Sequence, residues 1–263
     1  MKLDGARVVV TGASRGLGAE LVTAVAARGA RVVLVARTAE LIEKRAGDLG
    51  GEAYPADLAD PAGIYALVHA IERDGPIDVL VNNAGVDLTG RLVNADPAAI
   101  AALYSVNLVA PVLLCRTVIP GMLQRGRGHI LNVSSLAGTN VLPGLEPYSS
   151  SKAGLTHFTA ALRDELHGKP IGVTLAELGP IDSTMMTSLR SYEPTRRALQ
   201  RLATLRLQVD LRMDSVVSAL VESIERERAH VRMPRRDAAF PILAETPRAL
   251  TRLLLAGVDR HHD

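Results

Sequence analysis

The sequence predicts an α/β protein with a doubly wound parallel sheet, and three observations point to it. Short β-branched runs alternate with helix-period segments from one end of the 263 residues to the other. Most of the runs are continuously apolar, as strands covered on both faces are, instead of alternating. Apolar residues make up 48% and charged residues 22%, with aromatics at only 3%, so the core is expected to consist of Val, Leu, Ile and Ala. No composition shift marks a linker, and residues 1–263 are expected to form a single domain.

In chain order, "RVVVTG" (7–12), "RVVLVA" (31–36), "EAYPAD" (52–57), "DVLVNNAG" (78–85), "HILNVSS" (129–135) and "GVTLAELG" (172–179) read as strands. Between them lie stretches such as "LGAELVTAVAARGA", with apolar residues three and four apart and a glycine near the end, as helices have. Right-handed crossovers then place helices on both faces of the sheet. One long helix is expected across "AAIAALYSVNLVAPVLLCRTVIPGML", kinked where Pro111 removes an N–H. Beyond residue 184 the pattern weakens, and 185–210 reads as amphipathic helix inserted after the sixth strand. That position lies over the carboxyl ends of the strands, so the segment is a candidate substrate lid. A helix "DSVVSALVESIERE" and a short strand "AHVRM" follow, and the tail 238–263 is amphipathic. Packing on its own domain is expected of the tail, ahead of a membrane or a partner subunit.

Lysine plus arginine number 30 against 28 for aspartate plus glutamate, a net charge of +2 that argues against a nucleic-acid partner. The single cysteine, Cys115, sits in an apolar run and reads as a buried thiol in a reducing compartment. No signal-peptide core follows the N-terminus, and no run is expected to reach the ~20 apolar residues of a membrane span. A soluble, cytoplasmic protein is expected. The histidines, among them His129, His157, His167, His261 and His262, show no ligand spacing, so surface or packing roles and no metal are expected.

"VVVTGASRGLGAEL" places Gly12, Gly16 and Gly18 between the first strand and the first helix. There a glycine turn admits a pyrophosphate to the backbone, and the free N–H groups and dipole of the helix attract it. The spacing is G-x-x-x-G-x-G, not the commoner G-x-G-x-x-G. At the end of the second strand, where an acid would hold a ribose 2′-hydroxyl, stand Ala36 and Arg37, with Arg15 inside the loop. Two guanidiniums and no carboxylate favour NADP(H), with NAD(H) the alternative.

Taken together, "TGASRGLG", "NNAG" (82–85), "SVNL" (105–108), "NVSSLAG" (132–138) and "YSSSK" (148–152) resemble the short-chain dehydrogenase/reductase family over roughly residues 5 to 185. The resemblance implies a Rossmann-type domain with sheet order 3-2-1-4-5-6-7 and NAD(P)-dependent hydride transfer at an alcohol or carbonyl. Its catalytic group corresponds to Asn107, Ser135, Tyr148 and Lys152. Loop residues Gly12, Ser14, Arg15, Gly16, Leu17 and Gly18 fall to the cofactor, as do Arg37, Asp57 and Leu58 (the latter two at the adenine) and Asn83, Ala84 and Gly85. Tyr148 and Lys152 also contact it. At the exit of the sixth strand the family's Pro-Gly pair is changed to Leu178-Gly179, and Gly179, Ile181, Ser183 and Thr184 are the candidates beside the nicotinamide. Many members are dimers or tetramers, so a homo-dimer or homo-tetramer is expected.

The chemistry fits these residue types. Reduction of a carbonyl needs a proton donor, and Lys152, one helical turn from Tyr148, is expected to lower the tyrosine pKa, as is the helix start at Pro147. Ser135 is placed to donate to the substrate oxygen. Pro111 leaves the carbonyl of Asn107 without its i+4 partner, a site for a relay water. Leu142, Met185, Met186 and Leu189 suggest an apolar ketone, such as a lipid or steroid carbonyl, although the two methionines could equally be lid core. The expected activity is therefore an NADP(H)-preferring oxidoreductase on an apolar ketone or secondary alcohol. The rivals are an epimerase or dehydratase of the same family and a non-catalytic dinucleotide-sensing protein, which would need the glycine loop but not all four catalytic residues.

Overall fold

The computed structural model describes residues 1–140, 142–181, 184–204 and 210–234, and the side chains of all of these except 184 and 185. Seven strands form one parallel sheet: β1 (Arg7–Thr11), β2 (Arg31–Ala36), β3 (Glu52–Pro55), β4 (Val79–Asn82), β5 (Gly128–Ser135), β6 (Ile171–Leu178) and β7 (His230–Met233). Their order is β3-β2-β1-β4-β5-β6-β7, as the family resemblance implies. The register is close: Val8 to Val10 pair with Val32 to Leu34 on one side and Val79 to Val81 on the other.

Helices cover both faces. On one, α1 (Gly16–Ala26) and α9 (Met213–Glu225) bury Leu21, Val22, Val25, Leu220 and Ile224 against Val8, Val10, Val32 and Leu34. On the other, α3 (Pro61–Arg73), α5 (Ala110–Arg125) and α6 (Glu146–Glu165) bury Ile64, Val68, Leu114, Val118 and Leu162 against Val9, Val33 and Val35. Alternate residues of each strand face the two helix layers, so every position must be apolar, which is why the strands read as unbroken runs. The other helices among the described residues include α2 (Ala39–Leu49), α4 (Pro97–Tyr104), α7 (Thr184–Ser191) and α8 (Glu193–Thr204). Local sequence sets their ends. Asp60 and Asp96 cap α3 and α4 by accepting from the N–H of Ala62 and Ala98, each just before a proline in the first turn.

Buried Arg7 closes the amino ends of the strands. Its Nε donates to Glu52 Oε1 at 2.9 Å, Nη1 to the carbonyl of Ile71 at 2.8 Å, and its backbone N–H to Asp78 Oδ2 at 3.0 Å. The opposite, carboxyl edge stays open for a ligand.

The structure differs from the sequence expectations in three places. The third and fourth strands end early, at Pro55 and Asn82, and the residues that follow turn out over the carboxyl edge. The long helix is split: a π-turn, Ser105–Val109, joins α4 to α5 just ahead of Pro111, where the ordinary bond to its missing N–H could not form. That helical stretch, Pro97–Arg125, is also long and apolar enough by length and composition to cross a membrane, with a mean hydropathy of 2.0 in its most apolar window, contrary to the expectation that no run would be. One face of it packs on α3, on α6 and on the sheet, which gives its apolar residues a use inside the fold. The tail 238–263 lies outside the described residues.

Candidate active site

A cleft of about 520 Å³ runs along the carboxyl edge of the sheet. At one end is the glycine loop. Gly12 has φ +68, and a Cβ there would stand 2.8 Å from Cα of Ala84. A Cβ at Gly18 would be 2.3 Å from the carbonyl oxygen of Gly12 and 2.5 Å from Nδ2 of Asn83, so α1 can begin against the loop only because residue 18 has no side chain. Asn83 Nδ2 donates to the carbonyl of Thr11 at 2.9 Å. The hydroxyl of Thr11 accepts from the N–H of both Asn83 and Ala84 at 3.0 Å. Thr11, which sequence reading passed over as a strand residue, is thus the clamp between the first and fourth strand ends. A polar residue closing an otherwise apolar strand was its only signal.

Gly12, Arg15, Gly16, Leu17, Gly18, Arg37, Asp57, Leu58, Asn83, Ala84 and Gly85 all line this part of the cleft, while Ser14 does not. Arg15 and Arg37 are exposed, and among the described residues neither has a carboxylate partner. A cradle of bare backbone closed by two unpaired guanidiniums suits a phosphorylated dinucleotide.

In the middle of the cleft, Ser135, Tyr148 and Lys152 come together. Ser135 ends β5, where its hydroxyl accepts from the N–H of Ala137 at 3.1 Å and donates to the carbonyl of Leu178 at 3.3 Å. Ser134 points the other way, into α6, bonding the Lys152 carbonyl at 3.0 Å and Thr156 at 2.8 Å, as strand alternation predicts. Lys152 Nζ donates to the carbonyl of Val133 at 3.0 Å, and burial brings its pKa down to about 8. Tyr148 corrects an expectation. Burial pushes its pKa up from the ordinary value, the hydrogen bond with Ser135 works against this, and the charge of Asp87 adds to it. Lys152 is directed at Val133, so loss of hydration at the phenol outweighs any help from the helix start.

Asn107 is fully buried and does not line the cleft. Its amide holds Val86 instead, accepting from the Val86 N–H and donating to the Val86 carbonyl, both at 2.9 Å. Gly179 and Ile181 line the cleft at the exit of β6; Ser183 lies outside the described residues, and Thr184 begins α7 with its side chain outside them.

The far end is apolar. Leu145, Met186, Leu189 and Leu199 form a buried cluster with Leu142 packed on it, and these residues together with Leu202 and Met213 line the cleft wall. Met186 and Leu189 are therefore both pocket wall and part of the buried cluster made by the 142–145 loop, α7 and α8, and the side chain of Met185 lies outside the described residues. Leu145, Leu199, Leu202, Met213 and Asn140 were not singled out in the sequence, because helix spacing alone does not say which apolar face meets a cleft. Thr195 fastens α8 to the 142–145 loop through a 2.7 Å bond to the carbonyl of Pro143. Among the described residues no group of His, Cys, Asp and Glu could hold a metal ion. His129 is buried against Thr174 at 2.9 Å, with its pKa lowered to about 4 by burial, a packing role.

The sheet, its order and a glycine cradle at the carboxyl edge define a dinucleotide-binding protein of the doubly wound class. The family model described as short chain dehydrogenase matches residues 6–194. Ketoacyl reductase HetN of Nostoc sp. is 35% identical over 262 residues, covering 97% of this chain and 84% of that protein. A short-chain dehydrogenase from Sphingobium yanoikuyae in complex with NADPH superposes with a TM-score of 0.78 at 26% identity, over 98% of both chains. A metagenomic short-chain oxidoreductase in complex with NADP gives 0.65 at 37% identity, over 81% of this chain and 99% of that one. The chain belongs to the short-chain dehydrogenase family, as an oxidoreductase that takes a nicotinamide dinucleotide.

Proposed function

We propose that this protein is an NADP(H)-preferring carbonyl reductase, or the corresponding alcohol dehydrogenase, acting on an apolar ketone or secondary alcohol with Tyr148 as general acid or base. The observation that carries this reading is the layout of one cleft: a phosphate cradle with two unpaired guanidiniums, then Ser135, Tyr148 and Lys152, then a wall of leucine and methionine. When bound, the cofactor supplies or accepts the hydride. Gly12, Gly16 and Gly18 hold its pyrophosphate, Arg15 and Arg37 its 2′-phosphate, Asp57 and Leu58 its adenine, and Lys152 its nicotinamide ribose. Ser135 turns its proton from the Leu178 carbonyl, 3.3 Å away, to the substrate oxygen, and Tyr148 delivers the proton that the developing alkoxide needs. Lys152, close to half ionised near pH 8, keeps a proton within the same buried pocket.

An acyl chain bearing an oxo group is an apolar ketone of the expected kind, and the Nostoc relative is named for such a reaction. NADPH and NADH consumption across a panel of aliphatic ketones, steroids, quinones and 3-oxoacyl esters tests the reading. Turnover with NADPH on apolar members is expected. No turnover on any of them, despite tight NADPH binding, would move the protein to the dinucleotide-sensing alternative.

A further inference from the structure

Ser151 reaches nothing in the cleft, yet it joins two groups that do matter there. It is fully buried in α6, where its hydroxyl donates to the backbone carbonyl of Tyr148 at 2.7 Å and accepts from Asn107 Nδ2 at 3.1 Å. A serine hydroxyl has one proton. With that proton on Tyr148, only lone pairs face Asn107, and only the NH₂ end of the amide can meet them. The amide oxygen is therefore turned to the N–H of Val86, and the second amide hydrogen to the Val86 carbonyl. A flipped amide would set oxygen against oxygen at both Ser151 and Val86.

Gly85 shows what this orientation holds in place. A Cβ there would stand 3.4 Å from Asn107 Oδ1 and 3.4 Å from Lys152 Nζ. The cofactor-side backbone at 85–86 thus lies close against both the asparagine amide and the lysine ammonium. We propose that Ser151 is a positioning residue of the reaction: by fixing the Asn107 amide it sets the Gly85–Val86 backbone against the Tyr148 and Lys152 face of α6. The proposal rests on the reading of Tyr148 as the acid or base. Ser150 supplies the contrast on the same helix. Its hydroxyl also bonds back, to the carbonyls of Glu146 and Pro147, but it is exposed and its other partner is the Tyr104 hydroxyl at 2.6 Å.

The test compares Ser151→Ala, Asn107→Ala and their double variant with Ser150→Ala. It uses NADPH and ethyl 3-oxodecanoate as probes, kcat per folded molecule, NADPH affinity by fluorescence, and hydrogen exchange at the Val86 amide. Ser151→Ala is expected to lower kcat about tenfold, the scale of a small misplacement at a reacting centre, with NADPH affinity changed by less than about threefold. Exchange at Val86 should quicken, the double variant should be no slower than Asn107→Ala, and Ser150→Ala should match the wild type. A Ser151→Ala protein with wild-type kcat and wild-type exchange at Val86 overturns the proposal, as does one that loses only thermal stability. If Ser151→Ala does not fold, Ser151→Cys, of similar size but a poor acceptor, is read against the same outcomes. Failure of the wild type to reduce any ketone would instead overturn the role of Tyr148, and Val86 exchange would still decide whether Ser151 orders this segment.

Discussion

Lys152 Nζ donates to the carbonyl of Val133 at 3.0 Å, so the buried ammonium beside Tyr148 is held by the end of β5 and not by the phenol. Burial lowers its pKa to about 8 from an ordinary 10.5. A lysine depressed in the folded chain binds its proton more weakly there than in the unfolded chain, so between about pH 8 and 10.5 stability rises with pH as the charge is relieved. Below pH 8 the buried charge is carried at a cost. Lys152→Met should therefore be more stable than the wild type at pH 7 by about 2 kcal/mol, taking the relieved charge at about 3 and the lost hydrogen bond at about 1. It should also be inactive. Thermal unfolding of both proteins across pH 6 to 10 checks this, and a Lys152→Met protein less stable than the wild type at pH 7 would contradict the assignment of burial as the dominant effect.

Tyr148 is displaced upward, so in the reducing direction it stays a competent acid throughout the neutral range. Loss of reductase activity with rising pH should then follow Lys152, near pH 8, and not the tyrosine. Replacing Tyr148 by Phe should remove turnover and leave NADPH binding nearly intact. Asp87 offers a finer check, because its charge is one of the causes that raise the tyrosine. Asp87→Asn lowers the Tyr148 pKa, and the rise of alcohol oxidation with pH, which needs the phenolate, should move to lower pH. Steady-state rates in both directions against pH decide it.

Much of this arrangement could be read from the chain, and the part that could not has a physical reason. The strands of the sheet were legible because burial on both faces leaves little but Val, Leu, Ile and Ala in them, and the glycine loop because backbone contact tolerates nothing else at positions 12 and 18. Ser135, Tyr148 and Lys152 were legible through the family motifs. The sign of the Tyr148 shift was not, since desolvation depends on how tightly the cleft closes round the ring. Nor was the use of Asn107: a residue type and a spacing do not say that its amide grips Val86, across 21 residues of chain. The apolar wall was half legible, because the same leucines and methionines both pack on one another and line the pocket.

The proposed preference for NADP(H) rests on a pair of side chains that have no carboxylate partner among the described residues. Arg15, in the glycine loop after β1, and Arg37, just after β2, both line the cleft. Arg37→Asp puts a carboxylate where a 2′-phosphate would be held and restores an acceptor for a ribose hydroxyl. The ratio of kcat/KM for NADPH over NADH should fall by roughly 10- to 100-fold, the worth of a charge-assisted hydrogen bond. An unchanged ratio would remove Arg37 from the phosphate site and leave Arg15 to account for any preference.

Two glycines separate backbone entropy from close approach. In α2, a Cβ at Gly47 meets nothing within 4 Å, so Gly47→Ala keeps every contact and restricts the unfolded chain. It should stabilise the protein by about 0.5–1 kcal/mol and leave NADPH binding unchanged. In α1, the methyl of Gly18→Ala would press on the Gly12 carbonyl at 2.3 Å and on Asn83 Nδ2 at 2.5 Å, and neither can retreat without opening the clamp that Asn83 makes on Thr11. Overpacking of this kind costs about 1–3 kcal/mol, and here it also widens the loop that should meet the pyrophosphate. Gly18→Ala is thus expected to lower both the melting temperature and the NADPH affinity, whereas Gly47→Ala raises the first and spares the second. Equal effects of the two substitutions on NADPH affinity would mean that contact between the loop and the Asn83 segment does not shape the cofactor cradle.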